Sequence, residues 1–313
     1  MNHPRRTFLG SLASLVALGW LSEAEALAGT PATNRLPIAS NQYSWITFYQ
    51  RQGHDWFTNL DASLAEFAKS GIVGYEPLVN TPEELQALAP LIKKHGLEMH
   101  SLYVNSTLHK AEEADKSLKQ VLAIAKVAQA LGITIMVTNP SPVRWGGSED
   151  KTDAELDEQA KNLNTLGAGL RQHGITLAYH NHDPEMRQSA REFHHMMLST
   201  EPKNVSFCLD AHWVYRGAGN SQIALFDIVQ LYGKRIAEVH LRQSKNGIWK
   251  EVFEEGDIDY ARLANELLKL KIRPNLVLEQ CVETESSNTL DALAAHQQSL
   301  RYASRVFSAF TNK

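Results

Sequence analysis

The sequence predicts an α/β fold, a (β/α)8 TIM barrel, and three observations support this prediction. Short apolar runs alternate with longer amphipathic stretches, a pattern that favours a parallel sheet covered by helices. Eight such strand–helix units follow one another, which is the number that closes a TIM barrel. The chain has 313 residues, which suits one large barrel after an N-terminal segment is set apart.

The eight predicted strands are short segments rich in β-branched and other apolar residues. The stretches between them place apolar residues three and four positions apart, as helices that pack on a sheet do. A doubly wound open sheet is the competing fold, but the Gly-rich turn typical of it does not follow the first strand. In chain order the strands are LPIASNQ, GIVGYEPL, LEMHSLYV, ITIMVTN, ITLAYHNH, VSFCLDAHW, IAEVHLR and NLVLEQC.

The N-terminal segment has the three parts of a twin-arginine export signal. Arg5 and Arg6 precede a modestly apolar run, and small residues at Ala26 and Ala28 offer a cleavage site. We therefore expect residues 1–28 to be a signal peptide, with residues 29–35 as a linker and residues 36–313 as one catalytic barrel. A periplasmic enzyme that uses the twin-arginine export machinery follows from this interpretation, with no stable membrane anchor after cleavage.

The overall charge limits the class of partner. The formal net charge is −4, and such a balance argues against nucleic acid as the main ligand. A small molecule is the expected partner, while the sequence leaves the oligomeric state open, a homo-oligomer included.

Polar residues capable of chemistry stand at the ends of the predicted strands. In a TIM barrel these ends meet at one mouth, where the following loops carry the active site. Most of them, taken singly, have an ordinary interpretation as capping or packing residues. In strand order they are Glu76, His100, Asn139, His180 with His182, Asp210, His240 with Arg242, and Glu279.

Four of these residues come from four consecutive strands and form a plausible ligand set. His180, Asp210, His240 and Glu279 offer two imidazoles and two carboxylates around one point. Mixed nitrogen and oxygen donors favour Mn, Fe, Co, Ni or Zn over Mg or Ca. The sequence therefore predicts one divalent metal ion at the mouth, although it leaves open whether His180 or His182 is the ligand.

At these residues the sequence resembles the xylose-isomerase-like TIM-barrel superfamily, and within it the sugar phosphate isomerase/epimerase branch. The resemblance implies metal ligands at Asp210, His240 and Glu279. Ketose epimerases of the superfamily carry a glutamate where this chain has His180, a departure that weakens an epimerase mechanism with two carboxylate bases. The motifs that carry the resemblance are YHNHD (179–183), LDAHWVYRGAG (209–219), RIAEVHLRQS (235–244), EEGDIDY (254–260) and VLEQ (277–280).

The resemblance implies a metal-dependent isomerase or epimerase that removes a proton alpha to the carbonyl of a carbohydrate or keto-sugar. Glu279 or His182 would act as the base. Two alternatives remain open: a lyase that cleaves 3-keto-glycosides or dehydrates a keto-sugar or inosose, and a non-catalytic sugar-binding barrel. The residues expected to contact substrate are Glu76, His100, Asn139, Trp213, Arg242 and Trp249.

Overall fold

The predicted barrel is present in the computed structural model, which describes residues 36–311. One compact unit begins at Leu36, and the predicted signal peptide and linker lie outside the described residues. Eight barrel strands follow in the predicted order. They are β1 (Ile38–Asn41), β2 (Gly74–Glu76), β3 (Ser101–Tyr103), β4 (Ile135–Thr138), β5 (Thr176–His180), β6 (Val205–Asp210), β7 (Ile236–Leu241) and, after a short hairpin, β10 (Asn275–Leu278).

Helices cover the outside of the barrel, and most begin at a side chain that caps the first turn. Thr152, for example, forms a reciprocal capping box with Glu155 at the start of a 20-residue helix. The helices are α1 (Gln42–Arg51), α2 (Leu60–Lys69), α3 (Pro82–Lys94), α4 (Ala111–Ala130), α5 (Asp153–Gln172), α6 (Asp183–Ser199), α7 (Ala211–Gly217), α8 (Gln222–Tyr232), α9 (Tyr260–Lys269) and α10 (Ala292–Val306).

All neighbouring barrel strands pair in parallel. The sheet runs β2-β1-β10-β7-β6-β5-β4-β3. The ends of this order also meet, because Val79 N donates to Tyr103 O at 2.9 Å and Tyr103 N donates to Pro77 O at 2.8 Å. The eight strands thus form the TIM barrel that the sequence predicts.

The apolar interior has two layers, as expected for a barrel wrapped by helices. A large cluster fills the space between strands and helices. A small one, Val137, Ala178 and Cys208, lies inside the barrel, with Tyr103 and Ile135 against it. Among the described residues no helix is both long and apolar enough to span a bilayer.

A two-stranded hairpin lies between β7 and α9, in the seventh strand–helix unit, and was not predicted. Its strands are β8 (Ser244–Lys245) and β9 (Ile248–Trp249), and its turn residues Asn246 and Gly247 have φ of 54° and 80°. Asn-Gly suits such a two-residue turn because both positions need positive φ. The Asp257 carboxylate fixes the turn by accepting from both turn amides at 2.9 Å. The hairpin brings Trp249 towards the barrel mouth.

Candidate metal centre

The four predicted ligands come together at the carboxyl ends of their strands. One ligand atom from each of His180, Asp210, His240 and Glu279 lies within 4.8 Å of those of the others. Strand register places them, since Asp210 pairs with His240 across β6 and β7. All four side chains are buried, with Glu279 the most exposed at 6%. His182 is not part of this group.

Two members of the group carry buried polar atoms that the protein leaves unsatisfied. Neither ring nitrogen of His180, nor Oδ2 of Asp210, has a hydrogen-bond partner among residues 36–311. The His180 Nε2 atom lies 3.7 Å from Asp210 Oδ2 and 3.9 Å from Glu279 Oε2, too far for hydrogen bonds. Buried polar atoms without partners are costly, so this arrangement fits a cation between these side chains.

A second pair of carboxylates contacts the His240 ring on the side away from the ligand group. Its Nε2 atom lies 3.3 Å from both Glu76 Oε2 and Glu238 Oε1. Its Nδ1 atom faces Glu279 Oε2 at 3.0 Å. Since Nε2–H can donate to a carboxylate, Nδ1 is the nitrogen that points at the ligand group. A proton or a cation fits between Nδ1 and Glu279, and such carboxylate support is common for ligand histidines.

The electrostatics favour the ligand-competent forms of His180 and Glu279. Burial would lower the pKa of His240, but Cys208, Glu76 and Glu279 outweigh it and raise that pKa well above its usual range. Burial, reinforced by the neighbouring His182 and His240, lowers the pKa of His180 well below its usual range, so its ring is neutral. Burial also raises the pKa of Asp210 to about 6. For Glu279 burial acts in the same direction, but Arg242 and His240 outweigh it and hold the pKa below its usual value. Neutral imidazole and ionised carboxylate are the forms that bind metals.

Arg242 lies against the carboxylates of the group. Its Nη2 atom is 3.0 Å from Glu279 Oε2 and 3.9 Å from Asp210 Oδ2. Its Nε–H donates to the Glu279 carbonyl oxygen at 3.0 Å. The guanidinium also stacks between two indoles, 4.3 Å from the Trp249 ring and 5.2 Å from the Trp213 ring. Arg242, Trp213 and Trp249 therefore lie beside the ligand group, the region in which they were expected to contact substrate.

His182 lies next to the ligand group, on the side of the barrel mouth. It caps the start of α6, and its ring centroid is 4.7 Å from that of His180 and 5.5 Å from that of Trp213. Enclosure among these rings lowers its pKa to about 4. A neutral ring with an unpartnered Nδ1 can accept a proton, which suits the role of base predicted from the sequence.

The structure places the other three predicted contacts in three different environments. His100 precedes β3, and its exposed ring pairs with Glu98. It lies at the amino end of the barrel, where its carbonyl accepts from the start of β4, so its assignment to the pocket was wrong. Glu76 is fully buried under His240, and burial raises its pKa to about 7. Asn139 donates to the His180 carbonyl at 3.0 Å and supports the strand end.

Three further aromatic residues of this region escaped the sequence analysis. Tyr103 ends β3, with its ring 5.6 Å from that of His180. The Trp145 ring lies 5.4 Å from that of His182. Tyr43 lies at the start of α1 and is 52% exposed. Partial burial raises its pKa, and the nearby charges of Arg242 and Glu279 also act on that pKa. Trp145 could have been predicted from the sequence, because it lies in a loop rich in Gly and Pro that directly follows the fourth predicted strand.

Comparison with known proteins agrees with this architecture. An inosose dehydratase of Mesomycoplasma hyopneumoniae is 26% identical over 261 residues, which cover 74% of this chain and 85% of that protein. A sugar phosphate isomerase/epimerase from Parabacteroides distasonis superposes with a TM-score of 0.69 at 15% identity, covering 90% of this chain and 98% of that one. For an E. coli 3-keto-D-glucoside 4-epimerase the TM-score is 0.64 at 14% identity, with 86% and 98% covered.

The family profile covers most of the barrel. The profile described as xylose isomerase-like TIM barrel matches residues 64–305, which include all four members of the ligand group. The chain therefore belongs to the xylose isomerase-like TIM barrel family.

Proposed function

We propose that the protein is a metal-dependent enzyme of the isomerase or epimerase type, which removes a proton alpha to the carbonyl of a keto-sugar. The convergence of His180, Asp210, His240 and Glu279 at the barrel mouth, with unsatisfied His180 and Asp210 atoms, supports this proposal most directly. The family relation and the sugar-directed names of the similar proteins support it further.

A divalent cation held by these four residues would polarise the substrate carbonyl and acidify the adjacent C–H. Two imidazoles and two carboxylates suit Mn, Fe, Co, Ni or Zn better than Mg or Ca. Because His180 stands where a glutamate on β5 would add a carboxylate, this ligand set carries one negative charge fewer. The site would therefore present more positive charge to the carbonyl oxygen of the substrate. His180 thereby favours enolisation.

The protein's own residues would move the proton and hold the substrate. Glu279 is ionised and can accept the proton, while Arg242 and His240 position its carboxylate. His182, neutral and partly exposed to the mouth, is the second candidate base, on the side of Trp213. The rings of Trp213 and Trp249 exclude water from the guanidinium of Arg242, which strengthens its interaction with Glu279 or a substrate oxygen.

Beta-elimination is the second candidate outcome, and one observation favours it. Among the described residues β5 contributes His180 to the group, so no glutamate on β5 stands opposite Glu279 to return a proton to the other face of the substrate, and the group's second carboxylate, Asp210, comes from β6 instead. An enediolate that is not reprotonated can expel a leaving group from the beta carbon. The name of the inosose dehydratase relative, an eliminating enzyme, agrees with this outcome.

The test is a deuterium-exchange screen on the full-length protein after metal analysis. Keto-sugars and 3-keto-glycosides are incubated in D2O, and the carbon that exchanges is identified by NMR. Chelator-sensitive exchange supports the proposal, a new epimer selects the epimerase outcome, and release of water or an aglycone selects elimination. Sugar binding that neither needs metal nor gives exchange would refute the enzyme and favour a binding barrel.

We also propose a periplasmic location, reached through the twin-arginine route. Arg5, Arg6 and the apolar run after them support it. Replacing both arginines by lysine should abolish export. The uncleaved precursor would then stay in the cytoplasmic fraction, whereas unchanged export would refute this route.

A further inference from the structure

A line of aromatic rings leads outward from the ligand group. The His180 and His182 ring centroids are 4.7 Å apart, and the Trp145 ring stands perpendicular to that of His182 at 5.4 Å and 89°. The Trp145 side chain is nevertheless 59% exposed. A large indole that contacts a candidate base and still presents most of its surface to solvent can accept a further ring.

The loop that carries Trp145 is fixed in place. Arg187 of α6 reaches across it, donating to the Gly147 carbonyl at 3.3 Å and pairing with Asp150 at 3.5 Å. Gly147 leaves no room for a side chain, since a Cβ would lie 3.1 Å from the Arg144 carbonyl oxygen and closer still to the Glu149 carboxylate. The indole is therefore presented by a pre-organised loop, which limits the entropy lost on binding.

The charges around this surface are balanced. Arg144 pairs with Glu149 at 2.7 Å, and Arg216 pairs with Glu283 at 3.1 Å. Arg187 is engaged with Asp150, as described above. Guanidinium groups already held by carboxylates offer a phosphate little extra attraction, whereas the indole face suits an uncharged ring.

We propose that Trp145 forms an outer subsite that binds an uncharged ring joined to the keto-sugar, so that the substrate is a glycoside of two or more rings. This inference rests on the proposed function, because the keto-sugar ring must occupy the metal centre for its aglycone to reach Trp145. With the keto-sugar ring against His180 and His182, the aglycone extends past His182 onto the indole.

Two probes separate the inner and outer positions. Methyl 3-keto-glucoside lacks the second ring, and 4-nitrophenyl 3-keto-glucoside carries it. Affinity is measured by calorimetry and proton exchange by NMR, each on the wild type and on Trp145→Ala. Because the indole is exposed, this substitution should leave the fold intact, which circular dichroism checks. Leu198→Ala, 74% exposed on α6 away from the mouth, is the matched control.

Trp145→Ala should weaken binding of the aryl probe about three- to tenfold, the range expected for losing one aromatic pair, and leave the methyl probe within twofold. Leu198→Ala should change neither probe. Equal effects on both probes, or no effect on the aryl probe, would overturn the subsite. Binding of the aryl probe through Trp145 without any proton exchange would support the subsite and refute the proposed enzyme, so the two failures are distinguishable.

Discussion

Replacing Arg242 by methionine should destabilise the metal-free protein much more than the metal-loaded protein. Arg242 is only 2% exposed, and its guanidinium lies 3.0 Å from Glu279 and 3.9 Å from Asp210. Methionine keeps much of the apolar contact with the indoles but removes the charge. Both carboxylates then remain buried with one compensating cation fewer, unless a metal ion replaces it.

The size of the effect follows from the burial of the pair. Breaking a buried ion pair by removing one partner costs about 3–5 kcal/mol. Loss of the cation–π contact with Trp249 adds on the order of 1 kcal/mol. For a domain of this size 1 kcal/mol shifts the melting temperature by about 2–4 °C. The metal-free variant should therefore melt about 8–24 °C below the wild type, and the difference should fall to half or less with Mn²⁺.

Thermal denaturation by circular dichroism measures this, with each protein scanned in chelator and in excess Mn²⁺. Arg262→Met is the matched control, because Arg262 stacks on Phe226 at 3.7 Å in α9, outside the site. Its melting temperature should change by less than about 3 °C and equally in both conditions. An Arg242→Met deficit of the same size with and without metal would refute the reasoning.

Three other predictions concern catalysis, pH and packing. Glu279→Gln should lower the rate of proton exchange by about 10²–10⁴, measured by NMR in D2O, because Gln cannot accept the proton. His296, 2% exposed and stacked 4.2 Å from Trp45, has a pKa lowered by burial to about 4. Its folded pKa lies below its unfolded value of about 6.5, so it costs no stability above pH 6.5 and destabilises the fold progressively as the pH falls towards 4, by about 3 kcal/mol in total. Urea denaturation should show the stability gap between wild type and His296→Gln narrowing by about 2–3 kcal/mol from pH 7.5 to 4.5. Gly74→Ala would place a Cβ 2.6 Å from the Ala39 Cβ between β1 and β2, and should cost about 1–3 kcal/mol in the same assay.

Each of these predictions has a clear contrary result. Full exchange by Glu279→Gln would assign the base to His182, which His182→Gln then tests. A gap between wild type and His296→Gln that stays constant with pH would mean that His296 titrates normally in the folded state. Unchanged stability of Gly74→Ala would mean that the two strands can separate at no cost, contrary to their tight packing.

The barrel and its ligand group were predictable because both follow from the local pattern of the sequence. Parallel strands of one barrel end at the same mouth, so the final polar residue of each strand identifies a shared site. His180, Asp210 and His240 are such residues and Glu279 directly follows β10, while alternation along each strand sets the inward direction. Their convergence needed no knowledge of long-range packing.

The errors and omissions concern features that depend on strand boundaries or on contacts distant in sequence. His100 was misplaced because β3 begins only at Ser101, and strand boundaries are the least certain part of such a prediction. Glu238 supports His240 from within the barrel, two residues earlier on the same strand, and no pattern distinguishes it from an ordinary alternating residue. The hairpin, in contrast, had a recognisable Asn246-Gly247 signal between short β-prone runs.

The metal content of the purified full-length protein tests the central claim most directly. Inductively coupled plasma mass spectrometry should find about one equivalent of a divalent transition metal per chain after dialysis, as expected for a four-ligand site. The double variant Asp210→Asn/His240→Gln, checked for folding by circular dichroism, should retain less than about a tenth of it, since each lost ligand weakens binding. Equal metal content in both proteins, or none in the wild type even after incubation with Mn²⁺, Co²⁺ or Zn²⁺, would contradict the account.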